Sequence, residues 1–138
     1  MTSSVPANLV VVDTDVFSRA LVARRPAPEV KDRLLGKILV IPTHTRAELL
    51  LWPRVRNWGP TRSEELLAVI DSVATVPVTD DVVAAYVDLR VACQARGHAL
   101  AAKVHSSDCW IAATAIALDR PLCSLDGVYR DAPGLELT

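Results

Sequence analysis

No apolar run in this chain reaches the roughly 20 residues needed to cross a bilayer, so no membrane-spanning segment is expected. The N-terminus lacks a basic stretch followed by a long apolar one, and no secretory leader is expected. Cysteine is scarce, and Cys93, Cys109 and Cys123 have no metal-ligand spacing. Their odd number and apolar neighbours suit buried thiols in a reducing compartment, which makes the cytoplasm the expected location. Internal repeats, low-complexity tracts and linkers are missing too, so residues 1–138 are expected to fold as a single domain. Aromatic residues are few. Yet 51% of the chain is hydrophobic, mostly Ala, Val and Leu, which is a globular composition and not a disordered one.

The net charge of −1 hides an asymmetry. Residues 1–62 carry ten Lys/Arg against five Asp/Glu, and residues 63–138 carry five against eleven. A basic half could form a phosphate-binding rim beside an acidic centre, although plain surface charge explains the same numbers.

Strand-like runs alternate with helical ones. A valine-rich strand is predicted at 9–13, then helices at 15–24 and 27–35, the latter closed by Gly36. A buried strand follows at 38–41, ended by Pro42, and a helix at 43–52. Pro53, Gly59 and Pro60 mark a break or a bend. Thr61-Arg62-Ser63-Glu64 matches a capping box opening a helix to about 73. Val76-Pro77-Val78 reads as a short edge strand. Thr79 caps a long helix through Arg96, and Ser106 or Ser107 caps another at 108–118. A fourth strand is predicted at 122–125 and a short fifth at 135–137. The fold class is therefore α/β, with a mainly parallel sheet of four to five strands flanked by helices.

That layout gives four acids a common destination. Asp13 and Asp126 sit just beyond the carboxyl ends of strands, where open α/β sheets form their sites. Asp108 opens a helix, and Glu48 follows the second strand. Taken singly, each has an ordinary reading: strand end, turn, helix N-terminus and solvated helix face. Asp15 and Thr14 are equally natural helix caps. Joint placement is what points to a site. At an effective dielectric of about 20 and a separation of about 5 Å, each carboxylate pair costs roughly 3 kcal/mol. A cation in the cluster would offset that repulsion, and oxygen-only ligands point to Mg²⁺ or Mn²⁺. Ser124 could brace one of these carboxylates.

Asp13-Thr14-Asp15-Val16-Phe17-Ser18 resembles the opening motif of PIN-domain proteins. Thr45-Arg46-Ala47-Glu48-Leu49 is similar to the segment bearing that family's second acid. The run from Ser107 to Ala115 resembles its third-acid helix, and Leu122-Cys123-Ser124-Leu125-Asp126 its closing strand. Within the family, the size and order most resemble the VapC toxins of toxin–antitoxin pairs. The resemblance implies a Mg²⁺- or Mn²⁺-dependent endoribonuclease with Asp13, Glu48, Asp108 and Asp126 at the acidic positions. Asp13 and Asp108 would be the direct metal ligands. It also implies an RNA substrate, a VapB-type antitoxin and a homodimer. Asp15 stands where many relatives carry Asn.

Secondary features are read beside these. Arg19, Arg24, Arg25, Arg46 and Arg130 are candidates for RNA-backbone contact or plain surface charges. His105 is either a substrate contact or a loop histidine, and His44 and His98 have no partner evident from the sequence. Trp110 reads as core or dimer interface; Trp52 and Trp58 read as anchors of a groove for a partner helix, with stacking on an RNA base as the alternative. Two alternatives stand. Asp13-x-Asp15 also resembles the aspartate pair of haloacid-dehalogenase phosphatases, although Phe17 replaces the usual Thr or Val and no later lysine and acidic pair follows in order. A PIN domain that binds RNA or a partner without cutting is the other.

Overall fold

The computed structural model describes residues 5–23, 25 and 27–138. Arg24, one of the candidate RNA contacts, lies outside them. Four parallel strands form the sheet: β1 (Leu9–Val12), β2 (Ile38–Pro42), β3 (Ala74–Val76) and β4 (Leu122–Cys123), in the order β3-β2-β1-β4. Six α-helices flank it: α1 (Thr14–Phe17), α2 (Pro28–Leu34), α3 (Thr43–Val55), α4 (Pro60–Asp71), α5 (Asp80–Arg96) and α6 (Ser106–Leu118).

The strand period of two divides the core. Val10, Val12 and Ile41 pack with Val16, Phe17, Val30, Leu49, Leu66 and Ile70 on the face covered by α1 to α4. Val11, Val40 and Leu122 point the other way, onto Leu89, Cys93, Cys109, Ile111 and Ala112 of α5 and α6. All three β1 valines are fully buried. Burial on both faces explains why β1 is a continuous apolar run rather than an alternating one.

Several boundaries differ from the sequence expectation. The predicted first helix is two pieces: α1, then a π-helical turn over Ser18–Val22. Helix α3 runs through Pro53 to Val55, so the break falls later. Helix α4 starts at Pro60 with Gly59 before it. Proline is preorganised for that first helical position. Thr61 is therefore already inside the helix, and the Ser63 hydroxyl donates to the Gly59 carbonyl (3.0 Å) instead of completing a capping box. Helix α6 begins at Ser106 without a side-chain cap. Strand β3 lies at 74–76, not 76–78, because Pro77 has no N–H for a further rung; it does occupy the sheet edge. Strand β4 stops at Cys123, where its partner β1 ends. The expected fifth strand is a single parallel bridge between Leu122 and Leu137. No helix among the described residues is long and apolar enough to cross a membrane. The three cysteines are free and buried, and burial raises the Cys109 thiol to about 11.

Candidate active site

Strand β1 delivers Asp13 to the carboxyl edge of the sheet, where its N–H still donates to the Cys123 carbonyl (3.3 Å). Its backbone then turns into α1, which it caps: the Val16 N–H donates to Oδ1 (2.9 Å). The Ser124 hydroxyl donates to Oδ2 (2.5 Å). Asp13 thus serves as a cap and as a cleft acid at once. It is only 5% exposed. Burial raises its pKa, the Ser124 and Val16 hydrogen bonds oppose that, and the charges of Asp15 and Asp126 add to it.

Glu48 stands in the second turn of α3, beside fully buried Leu49. It is half-buried, and burial likewise raises its pKa. The Thr14 hydroxyl opposes the shift, while the charges of Asp108 and Asp13 reinforce it. Asp108 lies in the first turn of α6, where the helix dipole favours a carboxylate. Both of its oxygens have partners: His105 Nδ1 is 2.9 Å from Oδ2, and the Tyr129 hydroxyl donates to Oδ1 (3.3 Å). Asp126 is exposed at the mouth, and its Oδ1 accepts from the Val128 N–H (2.9 Å). Ser124 links the two acids at the end of β4. Its Oγ accepts from the Asp126 N–H (3.0 Å) while its hydroxyl holds Asp13. It lies past the end of β4, so this turn contact, and not strand alternation, is what orients it.

Asp13, Glu48, Asp108 and Asp126 all line one cleft of about 360 Å³, with Asp15 and Arg19 at its wall. Tyr129 is the residue that sequence reading missed. Its ring is 1% exposed, and its hydroxyl reaches Asp108. Burial first, then the neighbouring carboxylates, pushes its pKa upward, so it stays a proton donor. The available signal was a tyrosine one short turn beyond the last acid, in a 3₁₀ segment over Gly127–Tyr129.

Other candidates separate cleanly. Asp15 pairs with Arg19, and Arg46 is engaged with Asp71 (3.2 Å) and Thr75 (3.4 Å) on the far side of α3. His98 accepts from the Leu100 N–H at Nδ1, so its Nε2 donates to the Arg130 carbonyl (2.8 Å). Trp110 stacks between Tyr86 (3.8 Å) and His44 (5.4 Å), joining α5, α6 and α3. A second depression lies elsewhere, about 740 Å³, walled by Trp52, Trp58, Leu21 and Leu66. There Arg56 and Arg62 lie over the Trp52 and Trp58 rings (4.7 and 3.7 Å).

A PIN-domain family model matches residues 10–135. This chain belongs to the PIN-domain family. No curated protein matches it by sequence. Among solved structures, the PIN chain is similar to VapBC2 from Rickettsia felis bound to a DNA fragment from their promoter (TM-score 0.78, 16% identity, 94% of this chain and 97% of that one). It is also similar to FitAcB from Neisseria gonorrhoeae (0.72, 21%, 93% and 95%). A third is VapBC-5 from Mycobacterium tuberculosis, a member of the VapBC family of toxin–antitoxin systems (0.68, 24%, 94% and 97%). At these identities the likeness is one of fold. In this PIN domain the donor set suits a hard divalent cation, being oxygen-only and mutually repulsive. Among the described residues, no three His, Cys, Asp or Glu side chains stand close enough to share an ion as placed. The oxygens of Asp13 and Asp108 are held by hydrogen bonds from Val16, Ser124 and Tyr129, with His105 Nδ1 beside Asp108.

Proposed function

We propose that this chain is a metal-dependent endoribonuclease acting in the cytoplasm as the toxin of a VapBC-type pair, its single domain spanning 1–138. The observation that carries the reading is the convergence of Asp13, Glu48, Asp108 and Asp126 in one cleft at the carboxyl edge of a PIN sheet. Asp13 and Asp108 would hold Mg²⁺ or Mn²⁺. When bound, the ion supplies positive charge that polarises a phosphoryl oxygen and acidifies a water. Glu48, whose pKa burial raises, would accept a proton from the attacking water at a carboxylate oxygen. Asp126, exposed at the mouth, would orient the incoming water or help hold a second ion. Ser124 and Tyr129 fix the rotamers of Asp13 and Asp108 through hydrogen bonds to single named oxygens.

The groove between Trp52 and Trp58 suits the helix of a small antitoxin, whose tail would then block the acidic cleft. Helix α5 presents Val83, Val87 and Val91 at successive turns, 41%, 52% and 64% exposed. Such a stripe suits a second copy of the chain.

Incubation of the protein with total cellular RNA, with Mg²⁺ or Mn²⁺ and with EDTA, tests the activity beside Asp13→Ala and Asp108→Ala. Discrete fragments that require metal and vanish in both folded variants are expected. Equal cleavage by the variants would place the chemistry elsewhere. Phosphatase turnover with a trapped aspartyl-phosphate would favour the phosphatase alternative, and tight metal-independent RNA binding without product the non-cutting one.

A further inference from the structure

We propose that Arg19 is the cleft's own contact to the RNA backbone, with Asp15 holding its guanidinium in place; this rests on the ribonuclease reading above. Five carboxylates and one cation, Arg19, line the cleft. A polyanion entering it meets like charge everywhere except at this guanidinium and at a bound metal. Arg19 Nε lies 3.1 Å from both oxygens of Asp15. Among the described residues, its two terminal nitrogens make no hydrogen bond. A guanidinium is a rigid planar fork. Fastening it at Nε leaves the other edge, with its donors, free to meet a phosphate in the two-point geometry that arginine favours.

The alternative is an ordinary surface pair, since the two side chains are 56% and 55% exposed. Two observations go further. Exposed pairs of this kind contribute little stability, so the pairing needs no explanation in folding but gains one in orientation. And Arg19 sits in the π-helical turn Ser18–Val22, an irregularity that recurs at functional sites. Here it follows directly on the capped α1 that carries Asp15. Arg46, on α3, is committed to Asp71 and Thr75 and is the natural control.

The test is fluorescence anisotropy with a short labelled single-stranded RNA of mixed sequence, in EDTA so that nothing is cut, across a KCl series. Full-length wild type, Arg19→Gln, Arg19→Lys and Arg46→Gln are compared after circular dichroism confirms folding. Loss of one phosphate contact on a single strand reduces the log–log salt slope by about 0.7. Arg19→Gln is expected to show that reduction and roughly tenfold weaker binding at low salt. Arg19→Lys should keep the slope, and Arg46→Gln should match wild type. If wild type binds but Arg19→Gln keeps its slope, or Arg46→Gln loses as much, Arg19 is not the contact and the ribonuclease reading still stands. If wild type binds no RNA without metal, Arg19 is not the contact, and the cleavage assay with Mg²⁺ or Mn²⁺ decides the ribonuclease reading on its own.

Discussion

Replacing Asp13 with asparagine should make the metal-free protein more stable while abolishing its response to metal. Asp13 has its folded pKa above the ordinary 3.8, and Glu48 above 4.5, both chiefly through burial. Groups shifted this way stabilise the fold most below the ordinary value, and that contribution is lost as pH rises through the folded value. At pH 7.5 the cleft therefore holds charged carboxylates that the fold disfavours. The Asp13→Asn change removes one charge at little structural cost. The new side-chain carbonyl still accepts from the Val16 N–H, and the Ser124 oxygen has a second lone pair with which to accept from the new amide. A gain on the order of 1 kcal/mol is expected, about 3 °C in melting temperature for a chain of this size. Wild type should instead gain from Mn²⁺: at 100 times its dissociation constant, mass action gives about 2.7 kcal/mol, or roughly 8 °C. Differential scanning fluorimetry at pH 7.5 and pH 4.5, with and without Mn²⁺, reads all of this. The metal response should shrink at the lower pH as protons compete for the same oxygens. An Asp13→Asn variant no more stable than wild type, or one that Mn²⁺ lifts equally, would refute the assignment of this carboxylate to the ion.

Tyr129→Phe removes the donor to Asp108 Oδ1 without opening a cavity; Mn²⁺ affinity measured by calorimetry should fall about tenfold with the melting temperature nearly unchanged. Val87→Asp puts a charge in the middle of the exposed α5 stripe, and light scattering should show a homodimer converted to monomer.

The strands and the acids were legible because their signals are local. Valine runs with nothing polar inside them declare a doubly covered strand, and Asp13 is where that run stops. The adjacency of β1 and β4 is not written in any local signal; the rungs Val11 to Leu122 and Val12 to Cys123 are tertiary facts. The failures have physical causes. Proline at a first helical turn outcompeted the capping box at Thr61, and Pro77 ended β3 where the sequence pattern had started it. Tyr129 escaped notice because its hydroxyl acts across 21 positions in a 3₁₀ turn that no periodicity announces. The Trp52 and Trp58 groove was anticipated as a partner surface, but the guanidinium caps on both rings were not.

The strand order has a temporal side. Asp13 is made first of the four cleft acids, yet the hydroxyl that steadies it lies 111 residues later, and Asp126 and Tyr129 come after that. At about 10 residues per second, the ribosome needs roughly 10 s to cover that distance, plus the time for the last segment to clear the exit tunnel. Central strand β1 waits throughout for β4, which is only two residues long and cannot dock before it exists. A nascent chain therefore carries Asp13, Glu48 and Asp108 before the cleft that gathers them exists.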